Sequence, residues 1–150
     1  MNDLHAPDAP DPPAAADAAF AAPDPVARGR VHGLIWDSPR PIPAAAPAPP
    51  GAPADVVARA DLPPGPVSGR LLGPMWRLGR QGAPLYLKRG FVARLDGPDR
   101  IAYAAAPGLS AARIGLELAY GAGAGLLHLR GALPLHAAVV AGPQGAALIL

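Results

Sequence analysis

A chain of 150 residues, 51% hydrophobic and 16% charged with a formal net charge of +2 at pH 7, encodes one domain at most. It contains no cysteine, which excludes disulfides and thiolate metal sites. Basic residues are scattered, with only Lys88 and Arg89 adjacent, so the chain lacks the basic stripe with interleaved aromatics that nucleic-acid binding needs. The N-terminus offers neither a basic segment nor an apolar run, so no secretory signal is read and the expected compartment is the cytoplasm.

The charge is unevenly placed. Residues 1–25 carry Asp3, Asp8, Asp11, Asp17 and Asp24 and no Lys or Arg, a net of −5, while the remainder carries thirteen basic and six acidic residues, a net of +7. This first segment reads as a disordered acidic tail that solubilises or shields a mildly basic body. Sixteen of the 22 prolines precede Val67, so 26–66 reads as a Pro-rich region holding two short strands. The first strand is expected within Val26–Trp36 and the second over 54–60. Between them Ser38–Pro53 is expected to be an extended, largely solvated loop.

From 67 onward an α+β domain is expected. Alternation at Trp76/Leu78, Leu85/Leu87 and Phe91/Ala93, followed by Arg100–Tyr103, predicts an antiparallel β-meander with one wet face; Gly-rich turns lie at 79–82, 89–90 and 96–99. The period then lengthens. Ser110 is a suitable N-cap, and Ile114, Leu118, Ala122, Leu126 and Leu129 recur at three- or four-residue spacing, predicting a helix from about 111 to about 129. Gly121, Gly123 and Gly125 weaken that helix by up to ~1 kcal/mol each relative to alanine, which implies close packing against the sheet. Arg130 suits the helix dipole and Gly131 the C-cap.

No complete active site emerges from these elements. Gly121-Ala-Gly123-Ala-Gly125 lies inside a helical pattern and follows no strand, so it is not a dinucleotide fingerprint. Of the four histidines, His32 reads as a strand-face residue and His128 as a cation favoured at the helix end; no pair has metal-ligand spacing. Glu117 is the only glutamate, and no carboxylate pair for acid–base or magnesium chemistry sits on one element. His136 is the exception: an imidazole in an otherwise apolar strand needs a polar partner.

The C-terminal stretch runs Arg130-Gly131, Leu133-Pro134-Leu135-His136-Ala137, Val139-Val140, a turn over Gly142–Gly145, and Ala147-Leu148-Ile149-Leu150. A β-hairpin is expected there. This order resembles the approach to the nucleotide loop in HPr kinase/phosphorylase and HPr-kinase-related proteins, where a leucine-histidine opening a strand is followed by a second strand and then Gly-x-x-x-x-Gly-Lys-Ser/Thr. The resemblance implies the N-terminal portion of a protein-serine kinase, with His136 as a candidate catalytic residue, a protein substrate as partner, and ATP and Mg²⁺ bound only in a full-length relative. Without the phosphate-binding lysine and the magnesium-binding hydroxyl, the chain is expected to be inactive alone, since phosphoryl transfer depends on positioning and charge stabilisation. Two other classes stay open. One is a non-catalytic interaction module using the meander edge. The other is a membrane anchor formed by the uncharged stretch Gly131–Leu150, which Pro134, His136 and the turn residues disfavour.

Overall fold

The computed structural model describes residues 27–63, 67–79, 81–134, 138–142 and 145–149. The acidic tail over 1–25 and His136 lie outside the described residues.

Strands β1 (Ala27–Val31) and β2 (Leu34–Ser38) form a hairpin closed by His32 and Gly33, both with positive φ of 54° and 78°. Paired positive φ values match the right-handed twist of the flanking strands, and glycine at the second position makes the turn accessible. The stretch expected to hold a single strand therefore folds back on itself, and His32 is a turn residue rather than a strand-face one. The Pro-rich segment that follows is largely solvated, as expected, but is held against β1 at one point. Ala46 exchanges two backbone hydrogen bonds with Arg30, at 2.7 and 3.0 Å, and Ile42 and Ala45 pack against the core. Pairing with an edge strand satisfies polar backbone that proline leaves sparse.

β3 (Val56–Arg59) then pairs in parallel with β2, an arrangement fixed by Asp55: its amide donates to the Ile35 carbonyl and its carboxylate accepts from the Ile35 amide, both at 2.8 Å. Beyond it come β4 (Arg70–Gly73), β5 (Trp76–Leu78), β6 (Pro84–Lys88), β7 (Phe91–Leu95) and β8 (Arg100–Ala105). The last four are the antiparallel meander expected from the alternation, β4 adds a fifth strand at its outer edge that the alternation did not announce, and β8 returns to lie parallel to β3. The result is an eight-stranded sheet in the order β1-β2-β3-β8-β7-β6-β5-β4. Strands from both sides of residue 66 share it.

The helix α1 runs from Ala111 to Leu129 in three parts: α-helical over Ala111–Leu116, π-helical over Glu117–Ala122 and α-helical again over Gly123–Leu129. Ser110 caps it, its hydroxyl accepting from the Arg113 amide at 3.2 Å. At the other end Ala132 donates to the Leu127 carbonyl and Gly131, at φ 80°, donates to that of His128: a Schellman closure. Arg130 secures this end by donating to the carbonyls of Asp55 (3.2 Å) and Pro98 (2.9 Å). The fold class is α+β, as the patterning predicts.

One sheet face carries the core. Cross-strand pairs Trp36↔Val56, Ala58↔Ile101, Tyr103↔Ala93 and Tyr86↔Trp76 place these side chains on a common face, against Ile114, Leu118, Ala119, Ala122 and Leu126 of α1. Burying each large member contributes roughly 1.5–3 kcal/mol. The opposite face carries Arg28, Arg59, Arg77 and Arg94, by the alternation of the strand pleat. After α1, a separate two-stranded hairpin pairs β9 (Ala138–Gly142) with β10 (Gly145–Ile149), Gly142 opposite Gly145. Where a helical anchor would run, 138–142 and 145–149 are strands, and among the described residues no helix is long and apolar enough to cross a membrane.

Candidate functional site

Small residues in α1 let it settle close to the sheet. A methyl group added at Gly121 would come within 2.5 Å of the Tyr86 ring, and one at Gly125 would overlap the Trp76 indole. These contacts meet the close packing that the helical glycines imply. They also bring helix and sheet near enough for polar side chains to meet across the seam.

At the first residue of the π-helical segment stands Glu117, buried and almost fully engaged. One carboxylate oxygen accepts from the Tyr86 hydroxyl at 2.7 Å; the other lies 2.6 Å from the Arg113 guanidinium, one helical turn earlier, and 3.9 Å from the Lys88 ammonium at the end of β6. A lone carboxylate in this position would be costly, and the three donors offset the loss of water. Burial, reinforced by the bond to Glu117 and by its charge, pushes the Tyr86 phenol well above the ordinary tyrosine range. Tyr86 belongs to an aromatic row, with ring centroids 5.2 Å from Trp76 and 6.3 Å from Phe91, and Phe91 stacks on Tyr103 at 5.6 Å.

This cluster floors a cleft of about 400 Å³ lined by Met75, Trp76, Lys88, Leu116, Tyr120 and Ala124 among others. The buried carboxylate has its charge and hydrogen-bonding capacity taken up by its neighbours, so it is poorly placed to serve as a general base. What the cleft presents outward is two half-exposed cations, Lys88 and Arg113, beside apolar surface. That is a binding chemistry, suited to an apolar group carrying carboxylate or phosphate nearby.

Two further hollows differ in character. On the sheet face away from α1, Arg59, Asp61, Asp96 and Arg100 surround a hollow of about 440 Å³, and Asp96 holds Arg94 in a bidentate pair at 2.6 and 2.9 Å. That bond is the main cause of the raised Arg94 pKa. The aromatics of the row described above face α1, on the other side of the sheet from this hollow. The second hollow is an apolar groove between Leu72, Trp76, Leu129 and Leu133, which His128 joins at the helix end.

Of the residues singled out from sequence, His32 sits with its ring 5.3 Å from that of Tyr120, and His128 and Arg130 take the helix-end positions expected of them. Among the described residues no group of three or more His, Asp or Glu is placed to hold a metal ion. The Tyr86–Glu117–Arg113–Lys88 cluster was not legible in the sequence; the sole glutamate falling on the apolar side of the helical pattern, between Ile114 and Leu118, was its one signal. No known protein family, curated protein or solved structure matches this chain.

Proposed function

We propose that this chain is the N-terminal portion of an HPr-kinase-related protein-serine kinase. The observation carrying the proposal is the order of elements at the C-terminal end: α1 closes at Gly131, Leu133-Pro134 leads away, and two strands follow as a hairpin joined across Gly142 and Gly145. That order supports the resemblance carried by the leucine-histidine and the double-strand pattern. In this reading ATP and Mg²⁺ bind a loop that follows β10, at a helix N-terminus whose amides face the phosphates. His136 is a site residue opening the strand toward it, and the eight-stranded body supports that catalytic half.

The reading is tested first in the coding sequence after the codon for Leu150, which should encode Gly-x-x-x-x-Gly-Lys-Ser/Thr. In protein carrying that loop, His136→Gln should abolish phosphoryl transfer to a serine of a protein substrate with little change in melting temperature. The 150-residue chain itself should not bind Mg-ATP in the micromolar range by equilibrium dialysis. Absence of the loop, or micromolar binding by the short chain, removes the proposal. A second reading, a non-catalytic interaction module, is favoured by β4: it is the outermost strand and its Leu71 and Leu72 are exposed, which suits addition of a partner strand.

A further inference from the structure

The rim of the cleft over Glu117 is more apolar than a solvent-facing surface requires. Met75, Leu116 and Tyr120 are 40%, 39% and 51% exposed, and all three line the same cleft as the half-exposed Lys88 and Arg113. An apolar patch with two cations together at its edge, both against the same oxygen of Glu117, calls for an occupant that carries an apolar group with an anionic group beside it.

The chain carries such a segment. Residues 1–26 hold five aspartates, no Lys or Arg, and a single aromatic residue, Phe20, with Asp17 three residues before it and Asp24 four residues after. The distances allow it to arrive. β1 carries the chain from Ala27 to the His32 turn, a path of roughly 16 Å for its five residues, and the His32 ring lies against Tyr120 at the cleft. Seven residues separate Phe20 from Ala27, and an extended chain of that length spans up to about 23 Å.

We propose that the segment around Phe20 docks in this cleft, its ring against Met75, Leu116 and Tyr120 and the carboxylate of Asp17 toward Lys88 and Arg113. The inference does not depend on the kinase reading. Tethering makes a weak contact sufficient: a short linker gives an effective concentration on the order of millimolar, so a contact with a dissociation constant near that value is about half formed. The exposed ion pairs make docking sensitive to salt, because charges at this surface are screened over about 8 Å at physiological ionic strength. The tail thereby acts as a built-in competitor for anything else that enters the cleft.

The test is the initial rate of chymotrypsin cleavage after Phe20 in the full chain, followed by mass spectrometry. Docking of this strength predicts that Lys88→Glu, Tyr120→Ala, Asp17→Asn, and a rise to about 1 M salt each raise that rate, to a limit of about twofold. A thermal melt of each variant checks that the body remains folded. In parallel, Phe20→Ala should shift the emission of the cleft residue Trp76, a readout that needs no change in the body. Cleavage rates and emission that ignore all these changes overturn the proposal. So does protection that grows with protein concentration, which would make the occupant a second copy of the chain.

Discussion

Replacing Glu117 by alanine and by glutamine separates what this buried carboxylate does through its shape and hydrogen bond from what it does through its charge. Alanine removes the acceptor that the Tyr86 hydroxyl reaches at 2.7 Å and opens a void beside Leu118 and the Tyr86 ring. A hydrogen bond to a charged group is worth about 1.5–3 kcal/mol, and the stranded phenol and the void add to that, for a total of roughly 3–4 kcal/mol. Glutamine keeps the volume and an oxygen that can accept from Tyr86; it gives up the ion pairs with Arg113 and Lys88, whose side chains are about half exposed. Ion pairs so open to solvent contribute about 0.2–1 kcal/mol. For a domain of this size, 1 kcal/mol shifts Tm by roughly 2–4 °C, so Glu117→Ala should melt about 10 °C below the parent and Glu117→Gln only a few degrees below it. Thermal unfolding followed by far-UV circular dichroism measures both. If glutamine proved as damaging as alanine, the charge itself would hold the seam and the reasoning would fail.

Alkaline pH supplies another check on this seam. Tyr86 is held protonated by burial and by Glu117. Below about pH 10 the phenol is protonated folded or unfolded; above it the unfolded chain ionises first, so its share of stability is lost as pH rises. Tyr86→Phe has no proton to lose, and the Tm gap between parent and variant should narrow above pH 10; a constant gap up to pH 11 would refute the assignment. Helix propensity favours alanine over glycine by up to ~1 kcal/mol, yet Gly125→Ala should destabilise by about 2 kcal/mol because the methyl would overlap the Trp76 indole. A higher midpoint for that variant in urea would show that the seam can open at little cost.

What could be read from sequence is what depends on neighbours in the chain. Ser110, Gly131 and the turns at 89–90 and 96–99 act within a few residues, and each appears where the pattern puts it. The glycines of α1 announced close packing, although the Trp76 and Tyr86 rings they admit were not identifiable. Tertiary pairing was hidden. Nothing near Val56 states that β3 slots between β2 and β8, because parallel partners come from distant segments. The His32–Gly33 reversal was masked by the apolar residues on both sides of it. Lys88, Tyr86 and Glu117 meet across about thirty residues of chain, so no local spacing could join them.

The π-helical turn has a consequence for how this protein tolerates changes of length. Ile114, Leu118, Ala122 and Leu126 are spaced strictly by four. In a regular α-helix each such step overshoots a full turn by about 40°, and three of them would swing the last residue some 120° off the sheet. The wider turn, marked by the Gly123 amide reaching back five residues to the Leu118 carbonyl, absorbs the overshoot and keeps all four in line. It works as a splice between two helical halves with separate phases. Deleting one residue inside 117–122 would restore ordinary winding there, and the half from Gly123 to Leu129 would keep its contact with Trp36 and Trp76. The same deletion in either flanking half has no wide turn to draw on and would rotate that half away from its partners. Deletions in this helix should therefore be survivable at one place, the turn that already holds a residue to spare.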